Sequence, residues 1–488
     1  MDRENLTARI EGASIRRGLI SGGIFMAVAR AMALVVQIAV GIMLARYLSP
    51  KEFGLFGMVS TLTGFIIIFK ELGLSYATIQ MQEVSYEQLN VLFWINAFVG
   101  LALTLVAAVS AWPVAALYKT PQVIPLTLTM STVFFLSGIS VQHAAILKRK
   151  MLFNKVAVAE TASAILGALA GLFLVFRGAG VWALVAMQVV KGGAYNLLIW
   201  GYLPWLPTRP HGTAGIRAMV AFGGNIMAFD FVNYFSKNVD NILIGRLYGA
   251  VILGFYSKAL ELITLPITMI RGPLTAVCIP ALSALQEDLP RFRRYFVTIT
   301  QINALLCVPS MLWLALGADF LVPSLLGNQW AEAIPYFRLF AVAGIFQSTV
   351  GILGTLLIAS GKSRRYFVWG LWHGAFMVLS YCTIFFTTPL TMVKIFVFAN
   401  VAIFAPSAFY CASGSPIRGE DFLMAHLLPL GLGIVSLGVW FTAGILVAEL
   451  SGIIAFVIRS ITFFAVTGGW LIFHRKNYSP FLRLTVRQ

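Results

Sequence analysis

Asp230, Asn233, Lys237, Asp240 and Asn241 recur mostly at steps of three and four. In a helix that spacing puts them on one face, a stripe about 16 Å long at 1.5 Å rise per residue. Lys237 and Asp240 lie one turn apart and can pair, with Asn233 a turn away. Glu261, Thr264, Thr268, Arg271 and Thr275 repeat the pattern downstream. Ammonium, guanidinium, carboxylate and amide groups in such stripes could bind an anion, pass a proton or hold a small cation. No Cys/His cluster and no CxxC accompanies them, so no disulfide framework and no metal site is expected, and no residue is assigned a catalytic role. Cys278, Cys307, Cys382 and Cys411 each lie in apolar sequence and are expected to be buried thiols.

The elements that carry these stripes are overwhelmingly apolar. The chain has 488 residues, of which 59% are hydrophobic and 11% charged, and its mean hydropathy is +0.87. Soluble proteins carry about 25% charged residues, so a soluble enzyme and a disordered chain are both excluded. About fourteen segments are long enough to cross a bilayer, each needing roughly 20 apolar residues. Their cores lie near 18–44, 53–70, 90–116, 123–147, 153–176, 180–201, 217–246, 252–282, 292–318, 331–359, 366–388, 390–413, 421–447 and 451–473. The runs are long and do not alternate, which excludes a strand barrel. Met1 to Arg17 is charged and polar, and the run after it is too long for a signal h-region. It is expected to be a first transmembrane helix. Pro266, Gly272-Pro273 and Pro280 should kink the eighth helix.

Lys and Arg total 35 against 18 Asp and Glu, a formal charge of +17. Most of that excess falls in alternate joins. One side holds Arg3, Arg9, Arg16, Arg17, Lys148-Arg149-Lys150, Lys155, Arg209, Arg217, Arg291, Arg293, Arg294, Lys362, Arg364, Arg365 and Arg418, and the C-terminal Arg475, Lys476, Arg483 and Arg487. The other holds few cations, such as Arg46, Lys51, Lys119, Arg177, Arg246 and Arg338. The positive-inside rule then puts both termini in the cytoplasm. The basic excess needs no nucleic acid to explain it.

The chain also repeats itself. Ser21-Gly22-Gly23-Ile24-Phe25-Met26-Ala27 matches Phe222-Gly223-Gly224-Asn225-Ile226-Met227-Ala228. After a one-residue gap, Ile42, Arg46 and Gly54-Leu55-Phe56 match Ile242, Arg246 and Gly254-Phe255-Tyr256. Helices one and seven run the same way, so the halves are parallel repeats, a construction of secondary transporters. The expected division is 1–207 for helices one to six, 208–414 for helices seven to twelve, and 415–488 for two accessory helices and a cytoplasmic tail.

Ionisable groups within a span cost at least about 2.5 kcal/mol at the helix centre, so they should face water or one another. Arg30, Lys191, Lys237, Lys258, Arg271, Lys394 and Arg459 outnumber Glu160, Asp230, Asp240 and Glu261. A basic cavity selects an anion, and arginine suits a phosphate. The expected cavity-lining residues are Arg30, Gln37, Lys191, Asn233, Lys237 and Arg271. Asp230, Asp240, Glu261 and Glu160 are the candidates for binding a coupling ion. Lys258, Lys394 and Arg459 are expected to snorkel or to make helix contacts. His373 reads as a core histidine, and Arg46 and Arg246 as helix-end residues.

Three stretches resemble a known family. Ala45-Arg46-Tyr47-Leu48-Ser49-Pro50-Lys51-Glu52-Phe53-Gly54 resembles the first loop of the polysaccharide-transport family. Asn238-Val239-Asp240-Asn241-Ile242-Leu243-Ile244-Gly245-Arg246 and Cys278-Ile279-Pro280-Ala281-Leu282-Ser283 resemble its second-half motifs. The chain is similar to the Wzx-type flippases of the colanic-acid and succinoglycan branch, within the multidrug/oligosaccharidyl-lipid/polysaccharide (MOP) exporter superfamily. The resemblance implies an all-α integral membrane fold of about fourteen helices. Two pseudo-symmetric six-helix lobes would form a V around a central cavity, with two further helices at the C-terminus. It makes Arg46, Gly54, Gly245, Arg246 and Gly254 architectural, together with Asp240. It implies alternating-access movement of an undecaprenyl-diphosphate-linked oligosaccharide across the bacterial inner membrane, with H+ or Na+ as coupling ion and no other cofactor. Membrane lipids, a polysaccharide polymerase and a chain-length regulator are the further partners it implies. A drug or ion antiporter of the same superfamily and a membrane-embedded polymerase are the alternatives. The first would want an acidic cavity, and the second a large outward loop or an acidic metal-binding pair.

Overall fold

The computed structural model describes residues 32, 34–67, 78, 84–209, 216–413 and 415–473. All regular structure among them is helical. The helices are α1 (Leu34–Tyr47), α2 (Pro50–Ile67), α3 (Tyr86–Tyr118), α4 (Val123–Arg149), α5 (Phe153–Phe176) and α6 (Trp182–Tyr202). A continuous stretch, Ile216–Ala284, is broken at Gly249 into α7 (216–248) and α8 (250–284). Then follow α9 (Leu289–Leu316), the short α10 (Ala318–Leu326), α11 (Ile334–Ala359), α12 (Ser363–Cys382), α13 (Pro389–Ala412), α14 (Gly419–Leu446) and α15 (Gly452–Phe473).

Eleven stretches among the described residues are long and apolar enough to cross a membrane. The fourteen expected segments each meet a helix, and three do not add to that number. The described part of α1 begins at Leu34, α2 ends at Ile67, and α7 and α8 run on as one stretch. The interruption in that stretch falls at Gly249, which sits at φ 78°, a conformation glycine adopts without steric cost. Pro266, Pro273 and Pro280 lie in α8 with helical backbone angles around them. Their spacing of seven frees the carbonyls of Leu262, Met269 and Ala276 along one face.

Local sequence sets where the helices start. Ser49 caps α2, with Pro50 at the first helical position: the Ser49 amide donates to Glu52 Oε2 at 2.6 Å and the Glu52 amide to Ser49 Oγ at 3.4 Å. This is a reciprocal capping box. Ser85 and Gln88 form the same box on α3. Asp288 and Thr388 cap α9 and α13.

The described chain forms two compact units, 1–254 and 255–488. In the first, α3 packs against α4, and α5 against α6. Gly100 and Gly138 let α3 and α4 touch backbone to backbone: a Cβ on Gly138 would lie 2.6 Å from the Asn96 carbonyl oxygen. Close approach at small residues is how helices associate where burial from water offers no drive. α7 belongs to this unit, with the Tyr234 hydroxyl donating to the Thr61 carbonyl of α2 at 2.5 Å.

In the second unit α9 packs against α11 and α14. Two aromatic contacts dock α15: Trp313 Nε1 donates to Ser460 Oγ at 3.0 Å, and Phe320 stacks on Phe456 at 4.2 Å. At the other end of α14, Asp421 accepts from Arg293 at 2.5 Å and from the Arg418 amide at 2.8 Å. The accessory helices are thus fastened to the bundle at both ends. All four cysteines lie in this unit as free thiols; Cys278, Cys307 and Cys411 are buried as expected, and Cys382, at the end of α12, is half-buried.

Candidate functional site

The sequence candidates fall into distinct environments. On α8, Glu261, Thr264 and Thr268 are exposed and Arg271 and Thr275 half-buried, so the expected polar stripe is uncovered along most of its length. The Thr264 and Thr268 hydroxyls turn back onto the Leu260 and Leu265 carbonyls at 2.8 Å.

Arg271 lies beside Gly351 of α11, close enough that a Cβ there would meet its guanidinium. Cys307 of α9 and Tyr366 of α12 are its electrostatic neighbours. Among the described residues it makes no salt bridge and no hydrogen bond. A half-buried guanidinium carries five donors and loses hydration as it is covered. With no acceptor among the described residues, its fork could take two oxygens of an anion such as a phosphate.

The other cations separate by partner. Lys258 is 3% exposed and pairs with Glu261 at 3.0 Å, so a coupling ion at Glu261 would compete with an ammonium already there. Arg459 donates to the Gly444 carbonyl at 3.2 Å and lies 6.0 Å from the Trp440 ring centroid, joining α15 to α14. Lys191 on α6 and Lys394 on α13 are exposed. Asp240 on α7 is buried, its Oδ1 accepting from the Asn241 amide at 2.8 Å. Glu160 is half-buried on α5, and Gln37 is exposed on α1. Positions 230, 233, 237 and 240 share one face of helical backbone in α7. The side chains of Asp230, Asn233 and Lys237 lie outside the described residues, as does Arg30 entirely. Near the ends of α1 and α7, Arg46 is exposed and Arg246 half-buried, and Gly245 abuts the buried Tyr118 ring.

Outside the spans, at the turn between α4 and α5, burial and then the neighbouring Lys155 push Lys150 below the ordinary lysine value. The turn is a patch of mutually repelling cations.

Two buried histidines escaped the sequence reading. His143 Nε2 donates to the Trp205 carbonyl at 3.0 Å, and its ring stacks on Trp200 at 4.3 Å with Phe93 edge-on at 5.7 Å. Trp94 Nε1 donates to the Thr208 carbonyl, and the Thr208 amide to Asn90. These contacts tie the segment 203–209 down against α3, α4 and α6. His426 Nδ1 donates to the Phe422 carbonyl at 2.6 Å within α14. Both rings are packing elements. His143 has only Ser140 one turn away and His426 has no polar neighbour at that step, so neither belongs to a stripe that periodicity could reveal.

Long apolar helices, small-residue packing and an arginine with no acceptor among the described residues describe a multi-pass membrane protein. The chain belongs to the family described as polysaccharide biosynthesis protein, whose profile matches residues 43–335. It is 26% identical over 360 residues to the teichuronic acid biosynthesis protein TuaB of Bacillus subtilis, covering 73% of this chain and 74% of that one. It is 25% identical over 356 residues to the lipopolysaccharide biosynthesis protein WzxC of Escherichia coli, covering 72% and 71%. The fold matches the lipid II flippase MurJ in its inward closed conformation, with a TM-score of 0.74 at 14% identity, over 93% of this chain and 99% of that one.

Proposed function

We propose that this protein carries an undecaprenyl-diphosphate-linked oligosaccharide repeat unit from the cytoplasmic to the periplasmic leaflet of the bacterial inner membrane, by alternating access. The observation that carries the reading is Arg271, half-buried on an uncovered polar stripe with no acceptor among the described residues. The diphosphate takes that acceptor role, and the exposed Lys191 is the second candidate cation for it. Asn, Gln and Thr side chains meet sugar hydroxyls, and the polyprenyl tail stays in lipid. Both termini lie in the cytoplasm, on the side of the Lys148-Arg149-Lys150 turn, where the cations also meet anionic headgroups. A proton or sodium gradient drives the cycle through one of the intramembrane carboxylates, Asp230, Asp240, Glu160 or Glu261. A polysaccharide polymerase and a chain-length regulator act on the delivered unit.

The test is a deletion strain. Lipid-linked repeat units should accumulate in the cytoplasmic leaflet and polymer should disappear. Arg271→Ala should insert normally yet fail to restore polymer. Unchanged polymer on deletion, with new sensitivity to toxic cations, would point to a drug exporter instead.

A further inference from the structure

One cleft in unit 1–254 is used by none of the roles above. It has a volume of about 520 Å3 and lies where the starts of α2, α4 and α6 come together. That is within the range of small-molecule sites, roughly 300–1,000 Å3. Ser49, Lys51 and Glu52 line it from the first join, Gln122 from the second, and Gly180 and Trp182 from the third.

The polar groups here are only half used. Glu52 Oε2 accepts from the Ser49 amide and hydroxyl at 2.6 and 2.9 Å. Glu52 Oε1 is not needed for the cap and takes no hydrogen bond from the described residues; it lies against Gly180. Gly180 sits at φ 59°, and a Cβ there would close onto that oxygen. A glycine therefore keeps the carboxylate open. Gln122 is exposed and makes no capping hydrogen bond to α4. Lys51 is exposed, and Trp182 presents 40% of its surface.

We propose that this cleft is a docking site for one or two neutral sugar units. An apolar indole ring suits the C–H face of a pyranose, while a carboxylate oxygen and an amide suit vicinal hydroxyls. Lys51 and Glu52 cancel in charge, so the cleft has no reason to choose a phosphate or an anionic headgroup. The cleft lies at the end opposite Lys148-Arg149-Lys150, the extracytoplasmic end under the flippase reading. The inference rests on that reading for why a glycan arrives there. The site would hold the leading sugars as the lipid-linked unit emerges.

The experiment is saturation-transfer difference NMR on the full-length protein in lipid nanodiscs, with cellobiose, lactose and maltose as probes at millimolar concentration. Transfer to at least one disaccharide is expected, falling at least fivefold in Trp182→Ala and in Gln122→Ala. Gln122→Ala removes an exposed side chain, so it covers the case in which the tryptophan variant fails to fold. No transfer to any probe, or equal transfer in both variants, overturns the proposal; equal transfer would leave Trp182 as an interfacial aromatic of the kind membrane proteins carry at the headgroup level. Polymer export is scored separately in the deletion strain. Failure of sugar binding with export still dependent on Arg271 sinks the cleft alone. Sugar binding that behaves as expected in a protein whose deletion leaves polymer unchanged sinks the flippase reading instead.

Discussion

Gly54 lies flat against the carbonyl of Ala250, with no room for a methyl group between them. The reciprocal contact is also made: Gly254 lies against the carbonyl of Pro50. The sequence repeat aligns Gly54 with Gly254, and at the same offset Pro50 with Ala250. Each glycine thus meets the equivalent of the residue that the other meets, the self-complementary pattern produced by a two-fold axis. Among the described residues, the motif glycines form one backbone contact between the two related segments, beside the Tyr234–Thr61 hydrogen bond.

Backbone cannot move aside as a side chain can. Gly54→Ala and Gly254→Ala should each destabilise the protein by about 1–3 kcal/mol through overpacking, and by similar amounts because the contacts are equivalent. Gly201→Ala is the comparison, since a Cβ there meets nothing within 4 Å. It should stay within about 0.5 kcal/mol of the native protein. Thermal unfolding of the detergent-solubilised variants checks this; a Gly54→Ala protein that melts like Gly201→Ala would mean the contact is not made.

Gly351 offers a way to move Arg271 without mutating it. A side chain at 351 would meet the far end of a flexible arginine, so the fold should survive where the guanidinium shifts. Gly351→Val should cut polymer export at least tenfold at normal membrane abundance, with Gly351→Ala between it and the native protein. Full export from a folded Gly351→Val protein would show that the position of Arg271 does not matter.

The helices, the repeat and the position of Arg271 on a polar face were legible because each is periodic or nearly so. Partners were not. The polar stripe sets Arg271 apart from Arg459 in sequence, but the partner of neither is legible there. Only folding brings Arg459 to the Gly444 carbonyl, 15 residues away, and leaves Arg271 beside a glycine. His143 was invisible for the same reason, since its partner Trp205 is 62 residues away. The join between the seventh and eighth helices, expected between 246 and 252, falls at Gly249, where the positive φ favours glycine.

Lys258 and Glu261 make a further prediction about coupling. If Glu261 serves only as counter-charge to a buried ammonium, removing the pair together should be milder than removing one member. Lys258→Met/Glu261→Met should then export more polymer than Glu261→Met alone. If Glu261 carries the coupling ion, the double variant should be as inactive as the single, and neither should respond to collapse of the gradient. Leaflet-resolved assay of the lipid-linked unit with and without ionophore separates the two outcomes.

Arg459 gives the converse of Arg271. Its guanidinium is occupied by the Gly444 carbonyl and the face of Trp440, both on the neighbouring accessory helix. A hydrogen bond from a charged group and a cation–π contact together contribute on the order of 1–3 kcal/mol. Arg459→Leu should therefore lower thermal stability while leaving export close to native at permissive temperature. Arg459→Lys should recover little of that stability, because a point charge lacks the planar fork that serves carbonyl and ring at once. Export lost in Arg459→Leu at unchanged stability would move Arg459 from the scaffold to the transport path. The two arginines are told apart by which measurement each one moves: Arg271 export without stability, Arg459 stability without export.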